Sequence, residues 1–530
     1  MKLKCAVRRQ FAIGAIGALL VLGWTERSPA ATSGDPARGK QIYTQGTSPT
    51  GSEMHAFVGS ESVKLPASAV PCASCHGPDG LGRPEGGITP PNIRWSQLTK
   101  VYGHVHENGR RHPPFDDDSL GRLLAVGIDP GDNRLDTAMP TYAMSAQDTA
   151  DLIAYMKHLE TDIDPGVEKD RVRVATLLPL KGPQGELGQA MAQVLHAYFK
   201  EVNDRGGIYA RQIELLVVPY GSSEKETLDT LRLALEREAT FALVGPYTVG
   251  LDEPLLDLLR DQGIPLVGAF TLDPGDAVVN ENAFYLYAGF AEQARALAVQ
   301  ALKVDGGKTP LVLVGPEGAP TDRLIAAVQA EVSARAGRAP ATMRYRATQM
   351  DAAALAERVA AGSSQAVLFF GSQAELESLL TALAERQHHP QVYVLGALMS
   401  RSLYTVPEGF DQRIFLAYPT VPSDISSEGR SEYQGLAARH ALPPGRVQAQ
   451  ITAYAAAALL AEGLRGAGRD LTRLGMIDAL EGLYRYDTGV TPRLTFGPNR
   501  RIGARGAHVM VVDIGAQQYR PAGPWVEITE

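Results

Sequence analysis

Cysteine is nearly absent from this chain: Cys5, Cys72 and Cys75 are the only three in 530 residues. So few exclude a disulfide-stapled scaffold. No second CxxC and no HxxxH accompanies Cys72 and Cys75, so the four-ligand pattern of a structural zinc site is missing as well. Excess positive charge is lacking: 51 Lys and Arg stand against 59 Asp and Glu, a net −8 that gives a nucleic-acid partner no support. There is no GxSxG, no P-loop and no GxGxxG after a strand, which removes the common sequence signs of serine hydrolases, nucleotide hydrolases and dinucleotide enzymes. Long apolar runs are also rare. The one that stands out, "FAIGAIGALLVLGW" at 11–24, has 14 residues, fewer than the roughly 20 of a membrane span. Lys2, Lys4, Arg8 and Arg9 precede it and "SPAA" follows. Residues 1–31 therefore read as an export signal, with an uncleaved anchor as the rival reading. Cys5 would leave with the signal. The expected product is a soluble periplasmic chain with two cysteines.

What is present begins with length: 530 residues suggest three folded units at about 100–200 residues each. Within "PCASCHGPDG" at 71–80, two cysteines two residues apart are followed at once by a histidine. A thioredoxin-like dithiol would need a βαβ unit around it, and the preceding "SESVKLPASAV" offers none. The remaining reading is CxxCH: one covalent haem c, thioether-linked at Cys72 and Cys75, with His76 as proximal iron ligand. A sixth ligand is expected downstream. Met139 precedes Pro140 in a loop, and "SAQDTADLIAYMKHL" then reads as a helix with Ser145 as N-cap and Leu152, Ile153, Met156 and Leu159 on its apolar face. Met144 is the alternative ligand. His104, His106 and His112 could bind a metal or replace the methionine, but read more simply as a solvated loop near the haem edge.

These features resemble class I cytochrome c over residues 35–160. "DPARGKQIYTQG" looks like the family's N-terminal helix, "GGITPPNI" like its proline-bearing loop and "LLAVGIDPGDNRLDTAMPTY" like the stretch that leads to the axial methionine. The resemblance implies an all-α domain and low-spin iron between His76 and Met139. It also implies a loop proline carbonyl, from Pro90 or Pro91, that orients the proximal imidazole. One departure is an insertion, "TSPTGSEMHAFVGSESVKLPASAV", between the first helix and the haem motif.

The polar stretch 161–170, "TDIDPGVEKD", reads as a linker. After it the pattern alternates strand and helix, from "RVRVATLLPL" and "GQAMAQVLHAYFKEVNDRGG" to "QAVLFFG" and "QVYVLG". Such alternation builds parallel sheets covered by helices on both faces, and a rhythm that restarts halfway implies two lobes. Residues 171–530 resemble the type 1 periplasmic solute-binding fold of the leucine/isoleucine/valine-binding family, the substrate-binding type of ABC transporters. "VATLLPLKGPQGELGQAMAQ", "EVNDRGGIYARQIELLVV", "FALVGPYTVG" and "GIPLVGAFT" carry the likeness. The resemblance implies three crossings between a lobe of 171–291 plus 420–500 and a lobe of 292–419 plus 501–530. It implies a ligand cleft at the carboxyl ends of the strands. Loops after those strands hold Lys181 to Gln184, Pro246 to Thr248, Ala269 to Thr271, Ser372, Gln373, Ala397 and Leu398. Gln184, Tyr247, Thr248, Ala269, Thr271 and Ser372 are the expected ligand contacts. Amino-acid binders hold the ammonium with an acid near the last loop, and "LGALMS" lacks it, so a free amino acid is not expected.

The resulting expectation is a non-enzymatic fusion that moves one electron through a haem and recognises a small organic solute. Its partners would be a periplasmic redox protein and an ABC permease. Relatives that accompany quinoprotein alcohol dehydrogenases suggest such a dehydrogenase as the redox partner. A transport binder with a sensory or incidental haem is one alternative. A haem peroxidase or gas-binding enzyme with an open sixth position is another, and Met139 argues against it.

Overall fold

The computed structural model describes residues 33–82, 89–106, 109–274, 282–303, 310–347, 349–362 and 364–529. The expected export signal lies outside them. The chain divides into two compact units, the first ending at Thr161 and the second starting at Asp162.

In the first unit, α1 (Pro36–Gln45) is capped by Asp35 and ends at a left-handed Gly46. It lies across α2 (Ala146–His158), whose N-cap is Ser145 as expected. Gly39 allows the crossing, since a Cβ there would stand 1.9 Å from the Asp151 carbonyl oxygen. Arg38 and the amide of Asp35 then hold the buried Asp151 carboxylate. Tyr43 and Tyr155 pack with ring centroids 5.4 Å apart.

The unit is not all-α. The insertion forms a hairpin, β1 (His55–Val58) and β2 (Val63–Pro66), and β1 pairs antiparallel with β3 (Thr141–Ala143). Ala56 sits opposite Tyr142, and the Gly59 amide donates to the Thr137 carbonyl. The β-branched and aromatic residues of "HAFV" and "TYA" favour a half-buried ladder, with Ala56 and Tyr142 turned into the core. The hairpin thus contacts the chain on both sides of Met139, at Thr137 and at Thr141–Ala143. A second short ladder joins His104–Val105 to Arg111–His112.

In the second unit, one sheet has the order 502–504, 283–287, 266–267, 242–244, 171–178, 212–219, and every neighbouring pair is parallel. Continuous buried, largely apolar runs such as Val174–Leu178 suit strands covered on both faces. The helix Val447–Ala467 lies on this sheet through alanines. A Cβ on Gly268 would stand 2.5 Å from the Ala456 Cβ, so small residues on both partners set the approach. The other sheet has the order 341–345, 311–316, 366–369, 391–395, 414–418, 506–513, 518–521, parallel as far as 414–418 and antiparallel beyond it. The chain crosses after Tyr287, after Tyr418 and at Arg505. The expected division places 501–530 in the second lobe. Residues 502–504 instead pair with Tyr285 and Tyr287 in the first-lobe sheet.

The polar stretch 161–170 is built into this unit. Val167 bridges to Val172 and is buried in the lobe-one core. The Asp164 carboxylate accepts from the amide of Arg473. The guanidinium of Arg473 donates to the carbonyls of Thr240, Phe241 and Gln262.

Candidate functional site

Cys72, Ala73, Ser74, Cys75 and His76 make a single helical turn that ends at Gly77, whose φ is +75°. The i, i+3, i+4 spacing puts both cysteines and the histidine on one face of this short element. His76 is buried, and its Nδ1 lies 3.0 Å from the carbonyl of Pro91. A carbonyl only accepts, so Nδ1 carries the proton and Nε2 keeps its lone pair. Burial holds the His76 pKa below the usual imidazole range, against the opposing pull of the Pro91 carbonyl, so the ring stays neutral. A neutral imidazole with a fixed tautomer is what an iron ligand requires. The motif is braced from two directions: Tyr43 Oη donates to Gly77 O at 2.7 Å, and Tyr142 Oη donates to Val70 O at 2.7 Å.

Ile93, Trp95, Leu98, Leu135, Met139 and Met144 pack on the same core as Cys72 and Ala73 yet are only half-buried. Partly open apolar side chains that share a core with the turn carrying His76 suit a flat apolar cofactor, and the residues present therefore fit haem. Met139 lies in a turn closed by its own amide on Asp136 O.

The three loop histidines form a packed cluster rather than a solvated loop. Their ring centroids are 4.5 to 6.1 Å apart, and His112 is buried. Arg110 donates to His106 Nε2 and pairs with the fully buried Asp129. Burial, with Arg110 and the neighbouring histidines, pushes His106 down to about 4. Among the described residues no group of three or more His, Cys, Asp or Glu has the arrangement of a metal site.

In the second unit a cavity of about 560 Å³ opens between the two sheets' carboxyl ends. Ala269, Phe270, Thr271 and Leu272 line it from one lobe, Ala397, Tyr418, Met510 and Tyr519 from the other. Tyr287, Gln293, Thr420 and Thr452 stand at or near the crossings.

Residues 171–518 match the family model described as periplasmic binding protein, and residues 59–160 match the one described as cytochrome c. The chain belongs to the periplasmic binding protein family. Its N-terminal unit is a cytochrome c region. Among solved structures, a putative branched-chain amino acid ABC transporter from Rhodospirillum rubrum is similar at TM-score 0.54 and 17% identity, over 66% of this chain and 99% of that one. An ABC transporter substrate-binding protein from Aeropyrum pernix is similar at 0.53 and 16%, over 68% and 96%. A fatty acid ABC transporter substrate-binding protein from Thermomonospora curvata is similar at 0.50 and 16%, over 69% and 95%. At such identities these likenesses establish the fold of the binding unit. No curated protein matches. Among the described residues no helix is long and apolar enough to cross a membrane.

Of the expected contacts in this periplasmic binding protein, Ala269 and Thr271 line the cavity, and Gln184, Tyr247, Thr248 and Ser372 do not. Gln184 is exposed ahead of the helix Gly185–Asp204. Tyr247 stacks on Phe270, with ring centroids 5.5 Å apart. Ser372 closes a capping box with Glu375. Thr248 donates to Asp252. Tyr287, Gln293, Thr420, Thr452 and Tyr519 were not foreseen. Most of them flank the crossings, and counting residues from each crossing is the signal that would have found them.

Burial pushes Asp252 up to about 6, against the hydroxyls of Thr248 and Thr271. The folded chain therefore holds a proton that the unfolded chain has released above about pH 4, and stability falls as pH rises from about 4 to 6. Asp252→Asn removes this slope. Urea unfolding at pH 4.5 and 6.5 is expected to show the wild type losing stability relative to the variant; parallel pH dependence would contradict the assignment.

Proposed function

We propose that this chain is an exported monohaem c-type cytochrome joined to a binding module for a small organic solute. One haem c is attached through Cys72 and Cys75, with His76 and Met139 as axial ligands. The observation that carries the reading is the CxxCH turn with His76 Nδ1 held by the Pro91 carbonyl, 3.0 Å away. When bound, the haem supplies one-electron redox chemistry. The chain's own residues fix the imidazole tautomer, supply a thioether from Met139 and surround the group with apolar side chains that limit water.

The binding module recognises rather than transforms its solute. What supports this is a cavity between two lobes and its membership in a binding-protein family. We propose a periplasmic redox protein, of the quinoprotein dehydrogenase class, as the electron partner of the cytochrome unit, and an ABC permease as a partner of the binding unit. Among the described residues no acidic side chain lines the cavity, and a buried ammonium without a carboxylate is costly. Free α-amino acids are therefore not the solute.

The test uses the full chain, matured with haem. Reduced and oxidised spectra should be those of low-spin c-type haem. A thermal-unfolding screen of neutral and anionic organic solutes should give at least one saturable rise in melting temperature, because a ligand that binds only the native state stabilises it. Leucine, isoleucine and valine should give none. A saturable shift with any of these three would overturn the exclusion of amino acids, and high-spin haem would overturn the axial pair.

A further inference from the structure

Two polar atoms in the cleft have no partner in the protein. Gln293 is 2% exposed, and its Nε2 donates to the Ala288 carbonyl at 3.0 Å. That carbonyl can only accept, so the orientation of the amide is fixed and Oε1 is the free end. Gln293 Oε1 is buried with no hydrogen bond, and so is Tyr287 Oη. The hydroxyls of Thr420 and Thr452 stand near Tyr287 without completing a bond of good geometry; their own protons go to Asp424 and the Gln448 carbonyl. Both Tyr287 and Gln293 line the cavity of about 560 Å³. Buried polar groups left unpaired in a protein are uncommon, and at a ligand site they mark where the ligand bonds.

The two atoms ask for opposite things. Gln293 Oε1 accepts and needs a donor. Tyr287 Oη is the donor and needs an acceptor. A hydroxyl group is both. A carboxylate would set a full negative charge against Oε1, and among the described residues no Lys, Arg or His lines the cavity to compensate it. An ammonium would satisfy Oε1, but among the described residues no Asp or Glu lines the cavity. The carboxylate near Tyr287, Asp424, already binds His508 at 2.8 Å and the amide of Val421. A pure hydrocarbon would leave both atoms unpaired. Most of the remaining wall is apolar or aromatic, with Phe270, Leu272, Tyr418, Val421, Met510 and Tyr519 beside the uncharged polar Thr271, Thr420, Gln448 and Thr452.

We propose that this cleft takes an uncharged alcohol with an apolar body, whose O–H donates to Gln293 Oε1 and whose oxygen accepts from Tyr287 Oη. The proposal rests on the solute-binding reading above and narrows it to one chemical class. The hydroxyl pairs both oxygens, while the apolar body covers the aromatic wall.

The experiment is calorimetric titration of the full chain with two matched series. One is 3-phenylpropan-1-ol, propylbenzene, 3-phenylpropanoate and 3-phenylpropylamine. The other is hexan-1-ol, hexane, hexanoate and hexylamine. The expected result is saturable binding of at least one alcohol, at least tenfold tighter than its hydrocarbon, acid and amine counterparts. Tyr287→Phe and Gln293→Met should each weaken that alcohol at least tenfold and leave the hydrocarbon unchanged. Tyr287→Phe removes only an unpartnered oxygen, so it remains a fair test where Gln293→Met disturbs packing. Tighter binding of an acid or amine would overturn the alcohol class while the solute-binding reading stands. Alcohol affinity unchanged by both substitutions would overturn the assigned contacts. If no member of either series binds, the class is overturned. The broader solute screen then decides the underlying reading separately.

Discussion

Replacing Cys72 and Cys75 together by alanine is expected to yield a chain that carries no haem after denaturation. A thioether is a covalent bond and survives detergent and heat. Haem held only by His76 and Met139 does not. The two cysteines occupy one helical turn with His76, so each single replacement leaves one linkage and should keep the stain on a denaturing gel. The double replacement should lose it completely. Without the cofactor, Ile93, Trp95, Leu98 and their half-buried neighbours lose apolar cover at about 25 cal/mol per Å². The first unit should therefore melt at a lower temperature, while the transition of the second, a separate compact unit, stays in place. Haem retained through denaturation in the double variant would remove the attachment assignment.

The second large effect is expected from Met139→Ala. A thioether ligand favours ferrous iron and raises the potential. Its loss should lower the midpoint by on the order of 0.1 V or more, within the roughly 0.8 V over which axial ligands set haem potentials. The charge-transfer band of methionine-bound ferric haem should vanish, and carbon monoxide and cyanide should bind readily. Met144 is half-buried in the same region and supplies the control. Met144→Ala should keep the band and exclude both gases and anions. If the two variants exchange these behaviours, Met144 is the ligand. The hairpin at 55–66 pairs with the strand directly after Met139, so Ala56→Pro, which removes a ladder donor, should loosen the loop and give a milder form of the same phenotype.

Much of this protein was legible in its sequence. The CxxCH motif needs no tertiary context to be noticed, because its spacing is local, and the structure makes it one helical turn. The Ser145 cap and the amphipathic helix after it are local too: the Ser145 hydroxyl accepts from the Asp148 amide three residues on. Alternation of buried strands and helices announced the two-lobed binding fold, since parallel strands covered on both faces leave continuous apolar runs. The tertiary structure decided the remainder. The insertion at 47–70 could not be read as strands flanking the methionine loop, because its partner lies at 141–143 and short ladders take their register from non-local pairing. The stretch 161–170 looked like a linker by composition, yet Asp164 and Val167 are held by Arg473 and the lobe-one core, hundreds of residues away. The cleft was the hardest part. Its walls come from Ala269 to Tyr519, and four of the six residues expected there serve instead as an exposed loop residue, a stacked ring, a hydrogen-bond donor to Asp252 and a helix cap. Where a chain crosses between lobes is set by the packing of whole sheets, and that packing placed Tyr287 and Gln293, whose side-chain oxygens are buried and unpaired, in the cavity wall.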